Sequence, residues 1–198
     1  MEKTPVPLRT SYGVQEREGK TKAFKALNWI AALSGHSWLA SARRYREEYM
    51  SALIKVIIQE MVDLETKGWD TKNPDLFLSM IHPDMAWPFP PTADSHDPID
   101  WVFVMGRFDK ERWRKDWQDL FDTHDLIHNH RKTVKIEISN EQDAAFAVVD
   151  IDTLWRHKVT NEESHWKGRV CKIYTKLPTG EWKFYYQTGA LNFPPRGT

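Results

Sequence analysis

The last third of the chain constrains the fold most. It carries four long runs rich in β-branched and aromatic residues, at about 126–139, 144–158, 165–176 and 181–192, parted only by turn residues at 139–143, 160–164 and 178–180. Three neighbouring hairpins of that length curl into one sheet. On the run from Ala144, the residues Ala147, Val149, Ile151, Thr153 and Trp155 share one largely apolar face, while Val148, Asp150, Asp152 and Arg156 share the other. A sheet with one apolar face needs helices to cover it, and the preceding sequence supplies them.

Tyr49, Leu53, Ile54, Ile57, Ile58, Met61 and Leu64 recur at three- and four-residue spacing, which predicts a long helix from about Ser37 with Gly68 as its end. Asn73-Pro74-Asp75 opens a short second helix that should run to about Ile81, and His82-Pro83-Asp84 then turns the chain. Met85 to Phe89 and Trp101 to Met105 read as short strands, and Asp109 caps a third helix carrying Trp113, Trp117, Leu120 and Phe121. Residues 1–20 read as a mobile leader and 22–33 as a short helix. The expected organisation is therefore an N-terminal extension, 1–44, and one domain, 45–198. The element order is α+β, a cone-shaped, curved mixed or antiparallel sheet wrapped on about three helices.

Lysine plus arginine equal aspartate plus glutamate, 28 against 28, so there is no net field to gather nucleic acid or an anionic membrane surface. Residues 1–49 hold a local excess, nine basic against five acidic side chains, read as a solvated arm. The single cysteine, Cys171, permits neither an intramolecular disulfide nor a cysteine metal cage, and fits a reducing, cytoplasmic setting. The stretch 26–39 resembles a signal-peptide core but is interrupted by Asn28, Gly35 and His36, and nothing reaches the ~20 apolar residues of a membrane span.

Three local sequences resemble the nuclear transport factor 2-like superfamily, the cystatin-like α+β cone that includes SnoaL-like cyclases, scytalone dehydratase and ketosteroid isomerase. Residues 69–83, beginning Trp69-Asp70-Thr71-Lys72-Asn73-Pro74-Asp75, are similar to the scytalone dehydratase segment in which a Tyr-Asp pair precedes the second helix. Ile127-His128 followed by Val134-Lys135-Ile136-Glu137-Ile138 resembles the strand bearing the catalytic histidine of that dehydratase and of hexachlorocyclohexane dehydrochlorinase. Gly168-Arg169-Val170 and the ending Thr188-Gly189-Ala190 resemble the association domain of calcium/calmodulin-dependent protein kinase II, an oligomerisation module.

The dehydratase resemblance implies a lyase or isomerase without a cofactor: His128 as general base, Asp70 holding its tautomer, and Arg169, Tyr185 and Gln187 positioning the substrate. An imidazole titrates near the working pH, which suits it to remove a proton from carbon. His130 is a rival base, because alternation places it on the face of His128. Trp69, Trp87 and Trp155 are candidates to line the mouth. His128 and His130, with His124, also have ligand chemistry, but spacing fixes no third ligand and no metal is assigned. Two departures weigh against the dehydratase: Trp69 stands where that family has tyrosine, and Trp155 where it has a second histidine. The alternative is a non-catalytic small-molecule-binding or oligomerisation module. In either case the expected partners are a small hydrophobic or aromatic molecule and a second copy of the chain, joined as a homodimer through the sheet.

Overall fold

The structure, a computed structural model, describes residues 36–89 and 97–188. The expected leader, its short helix and the residues of the last run beyond 188 lie outside the described residues. The chain divides into two units, 1–50 and 51–198. In the first, the described residues are helical, with exposed Tyr45 and Tyr49 and an exposed Arg43–Glu47 ion pair of 2.9 Å. Tyr49 therefore stands outside the apolar stripe assigned to it.

The helix α1, His36–Asp70, continues into the second unit, where Ile54, Ile58, Met61, Val62, Glu65 and Trp69 form its buried stripe. Gly68 does not end it. The stop comes at Lys72, whose φ of 53° turns the chain so that the Asn73 N–H reaches the Gly68 carbonyl at 2.8 Å. Gly68 serves packing instead: a Cβ there would lie 2.6 Å from Phe77 Cδ1.

Helix α2, Pro74–Leu78, has Pro74 in its first turn and Asn73 as its cap, the side chain accepting the Asp75 N–H at 3.1 Å. It stops short of the expected Ile81 because strand β1, Ile81–Ala86, begins there and takes in the expected turn at 82–84. Pro83 is tolerated because β1 is an edge strand. Neither of the two expected short strands forms as such: Met85 and Ala86 belong to β1, and Phe89 and Val102 make one isolated antiparallel bridge. Helix α3, Lys110–Thr123, is capped by Asp109 and buries Trp113 and Phe121.

The chain passes from α3 directly into β2, His124–Ile138, followed by β3, Ala144–His157, β4, Glu163–Lys176, and β5, Trp182–Gln187. The spatial order is β1-β5-β4-β3-β2, with β1 parallel to β5 and every other pair antiparallel. Strand β3 buries Ala145, Ala147, Val149, Ile151, Thr153 and Trp155, the face its alternation predicts. Register shifts occur elsewhere: β2 skips a position at Ile127 and another at Val134, β5 skips at Tyr185 against β4, and β1 shifts against β5 between Ile81 and Ala86.

Core packing centres on Trp69, whose ring lies 4.9 Å from Phe77, 4.8 Å from Trp117, 5.7 Å from Phe121 and 5.8 Å from Trp166. Among the described residues no helix is long and apolar enough to cross a membrane.

Replacing Gly68 with alanine should cost about 1–3 kcal/mol in urea denaturation, since the new methyl group must displace a Phe77 ring stacked on Trp69. Unchanged stability would mean that this contact is not tightly packed.

Candidate binding site on the inner face of the sheet

Four inward-facing polar positions converge where α1 crosses the sheet. Glu65 comes from α1, Arg131 from β2, Lys172 from β4 and Gln187 from β5, and Glu65, Lys172 and Gln187 are buried residues. Glu65 Oε1 accepts from Arg131 Nη1 at 2.7 Å and Oε2 from Lys172 Nζ at 2.6 Å, with Trp69 Nε1 a further donor at 3.3 Å. Lys172 also donates to the Gln187 side-chain oxygen. The side chains of both members of each ion pair are 5% exposed or less.

The network continues toward the surface through Asn129. Its Oδ1 accepts from Arg131 Nε at 3.0 Å and from Thr153 Oγ1 at 2.7 Å, and its Nδ2 donates to Asp70 Oδ1 at 2.8 Å. A chain of side-chain bonds thus runs Asp70–Asn129–Arg131–Glu65–Lys172–Gln187. Aromatic faces flank it: Arg131 lies 5.6 Å from the Trp69 ring centre and Lys172 4.7 Å from that of Phe184.

Burial alone would raise the Glu65 carboxyl, but the charges of Lys172 and Arg131, with hydrogen bonds from Lys172 and Trp69, hold it at about 2. Full burial pulls the Lys172 ammonium down from 10.5 to about 8; attraction to Glu65 offsets part of this and repulsion by Arg131 adds to it. The second cation therefore helps the acid and hinders the amine. Tyr174, on the same face of β4, has its hydroxyl pushed well above its usual value by burial first and then by Glu65, and among the described residues its oxygen has no hydrogen-bond partner.

The residues nominated from sequence fall differently. Asp70 is exposed and bonds Asn129, whereas His128 turns to the outer face, its Nε2 2.8 Å from Asp152 Oδ1. The structure does not bring Asp70 and His128 together. The skip at Ile127 is the reason, because it makes Asn129, not His128, the inward neighbour of the helix. His130 shares the outer face, its ring stacked 5.1 Å from that of His128.

Arg169 also points outward, in a two-bond pair with Asp150 at 2.7 and 3.0 Å. Tyr185 and Gln187 do not share a face: the β5 irregularity leaves Tyr185 exposed against His82, while Gln187 is buried. Trp69, Trp87 and Trp155 line no mouth; all three are buried in the core.

Sequence reasoning missed Glu65, Arg131, Lys172, Asn129 and Tyr174. Two of them were marked: Lys172 sits between Val170 and Tyr174 on an apolar face, and Glu65 lies four residues from both Met61 and Trp69 on the buried stripe of α1. A charge at an apolar position is the signal of a buried ion pair.

No protein-family model matches the sequence, and no curated protein does. Among solved structures, a ketosteroid isomerase-like protein from Erwinia carotovora atroseptica aligns at TM-score 0.52 and 13% identity, over 70% of this chain and 96% of that one. A scytalone dehydratase-like protein from Novosphingobium aromaticivorans aligns at 0.50 and 14%, over 74% and 97%. A nuclear transport factor 2-like protein from Cytophaga hutchinsonii aligns at 0.50 and 12%, over 70% and 98%. The fold is thus the nuclear transport factor 2-like α+β fold that the local sequences resemble.

Replacing Glu65 with glutamine leaves two buried cations without a counter-charge and should cost about 3–5 kcal/mol. The depressed carboxyl also sets a pH dependence. Its contribution is complete above the ordinary value of 4.5 and is lost as pH falls toward about 2, so the difference between wild type and Glu65→Gln should shrink across that window. Denaturant titrations at several pH values check both outcomes.

Proposed function

We propose that the chain is a small-molecule-binding module that holds a carboxylate-bearing, otherwise apolar ligand on the inner face of its sheet, and that it does not run an elimination through Asp70 and His128. The observation that carries this reading is a surplus of donors. Arg131 and Lys172 face the single carboxylate of Glu65, and the Tyr174 hydroxyl on the same strand face has no acceptor among the described residues. A carboxylate supplies both the charge and the acceptor atoms such a cluster lacks. The stacked rings of Phe184 and Tyr174 would receive the apolar part of the ligand. Glu65 would then act as an internal stand-in, satisfying the cations until a ligand competes for them.

The elimination chemistry implied by the dehydratase resemblance needs its acid and its base on one face, and Asp70 and His128 have separate partners. The ketosteroid isomerase-like and scytalone dehydratase-like neighbours support the frame for a small-molecule site without lending it a reaction.

A thermal-shift panel of aromatic and aliphatic acids, each beside its carboxamide, tests the reading. At a hundredfold excess over Kd, an acid that binds should raise the melting temperature by about 5–10 °C. Its amide should have little effect, and Lys172→Met should remove the shift. Equal responses to acids and amides would reject it.

Self-association through the outer face fits the same module. Phe146 and Ile173 pair there across β3 and β4, both partly exposed, next to Val148 and Cys171, with Tyr186 beyond Ile173. Sedimentation should give a dimer that Ile173→Asp converts to monomer, and a monomeric wild type would dismiss this contact.

A further inference from the structure

The outer face is divided. Opposite its apolar end, the cross-strand row His128–Leu154–His165 lies beside the row His130–Asp152–Lys167. Both imidazoles lean off the first row onto Asp152. Nε2 of His128 lies 2.8 Å and Nε2 of His165 2.7 Å from the same Oδ1, and the three ligand atoms all fall within 4.8 Å of one another. Each side chain is partly exposed, at 28%, 31% and 39% for His128, Asp152 and His165.

We propose that His128, Asp152 and His165 form a binding site for a borderline divalent ion of the Zn2+ type. Two imidazoles and one carboxylate are a ligand set that such ions prefer and that Mg2+ and Ca2+ do not. Ligand atoms on a tetrahedral zinc stand about 3.3 Å apart, from bonds of about 2.0–2.1 Å. The two imidazole–carboxylate separations, 2.8 and 2.7 Å, lie within about 0.6 Å of that value. The ion would replace the protons that the imidazoles now direct at the carboxylate, and each ring would then carry its proton on Nδ1.

Lys167 Nζ pairs with the other oxygen, Oδ2, at 2.9 Å. It orients the carboxylate so that Oδ1 alone faces the imidazoles, and its positive charge lowers affinity for a cation. His130, stacked on His128, restricts that ring. Three protein ligands leave a fourth position open toward the shallow outer groove lined by His130, Asp150, Asp152, Lys167 and Arg169. The site lies on the opposite side of the sheet from the Glu65 cluster and does not depend on the ligand proposed there.

The experiment is a competition titration of the untagged, metal-free full chain with ZnCl2 against a chromogenic chelator, with Co2+ absorption as a second readout. One ion per chain is expected, with a tetrahedral visible band for Co2+. His128→Asn and His165→Asn should each weaken zinc at least about tenfold and abolish that band, while their urea midpoints stay near wild type. Lys167→Ala should tighten zinc, which a purely structural ion pair would not predict. The other histidine pair, His124 and His157, with rings 4.9 Å apart, serves as control, and His157→Asn should leave affinity unchanged. Absence of stoichiometric binding overturns the proposal, as does zinc that survives the His128 and His165 variants but is lost with His157.

Discussion

Glu65 held between Arg131 and Lys172 is the constraint around which the second unit is arranged. Taking three charges out of water costs several kcal/mol per ion, and that cost is offset only when each lone pair and each proton finds a partner. The partners come from α1, β2, β4 and β5, so the stretch of α1 from residue 51 onward and three side-chain positions on the sheet must be in register at once. Slipping one strand by one residue would send its contribution to the opposite face and leave a bare charge inside. The cluster is therefore better understood as fixing which packing is allowed than as adding stability, since an apolar set of the same volume would avoid the desolvation altogether.

How far the fold could be read from sequence depended on whether periodicity ran unbroken. Strand β3 has no irregularity against β4, and its inward face, Ala147 through Trp155, followed directly from alternation. The buried stripe of α1 was equally legible from Ile54 onward. In β2 the two skips, at Ile127 and Val134, each reverse the parity, and no turn residue or glycine marks either one. Counting along β2 therefore placed His128 inside and gave Asn129 and Arg131 no role. The skip at Tyr185 parted Tyr185 from Gln187 by the same means. Gly68 misled for another reason: its missing side chain answers a close approach by Phe77, and sequence alone does not separate a packing glycine from a terminating one.

The skips also explain why the two faces of the sheet differ in chemistry. On the inner face they bring Arg131 under α1, beside the Lys172 that β4 supplies with no shift against β3, and Glu65 satisfies both. On the outer face they gather imidazoles beside Asp152, whose carboxyl is held well below the usual range by hydrogen bonds from His165, His128 and Lys167, in that order of weight. Asp152 therefore remains an anion across the ordinary pH range. Arg169 and Asp150 close the row beyond it as a bidentate pair, which separates the titratable end of the face from the apolar end at Phe146 and Ile173.

Similarity of fold and similarity of site part company at this point. Five strands in one order, with helices over one face, fix the backbone frame, and that frame tolerates identities as low as those seen among the solved structures that share it. A catalytic pair needs more: two side chains on one face within hydrogen-bond reach. One residue inserted in β2 moves an imidazole through the sheet while moving the backbone little. Asp70, at the end of α1, reaches β2, but the side chain it meets is the amide of Asn129, which cannot take up a proton near neutral pH. The frame is thus retained around an interior whose inward groups form an ion cluster and not a carboxylate–imidazole pair.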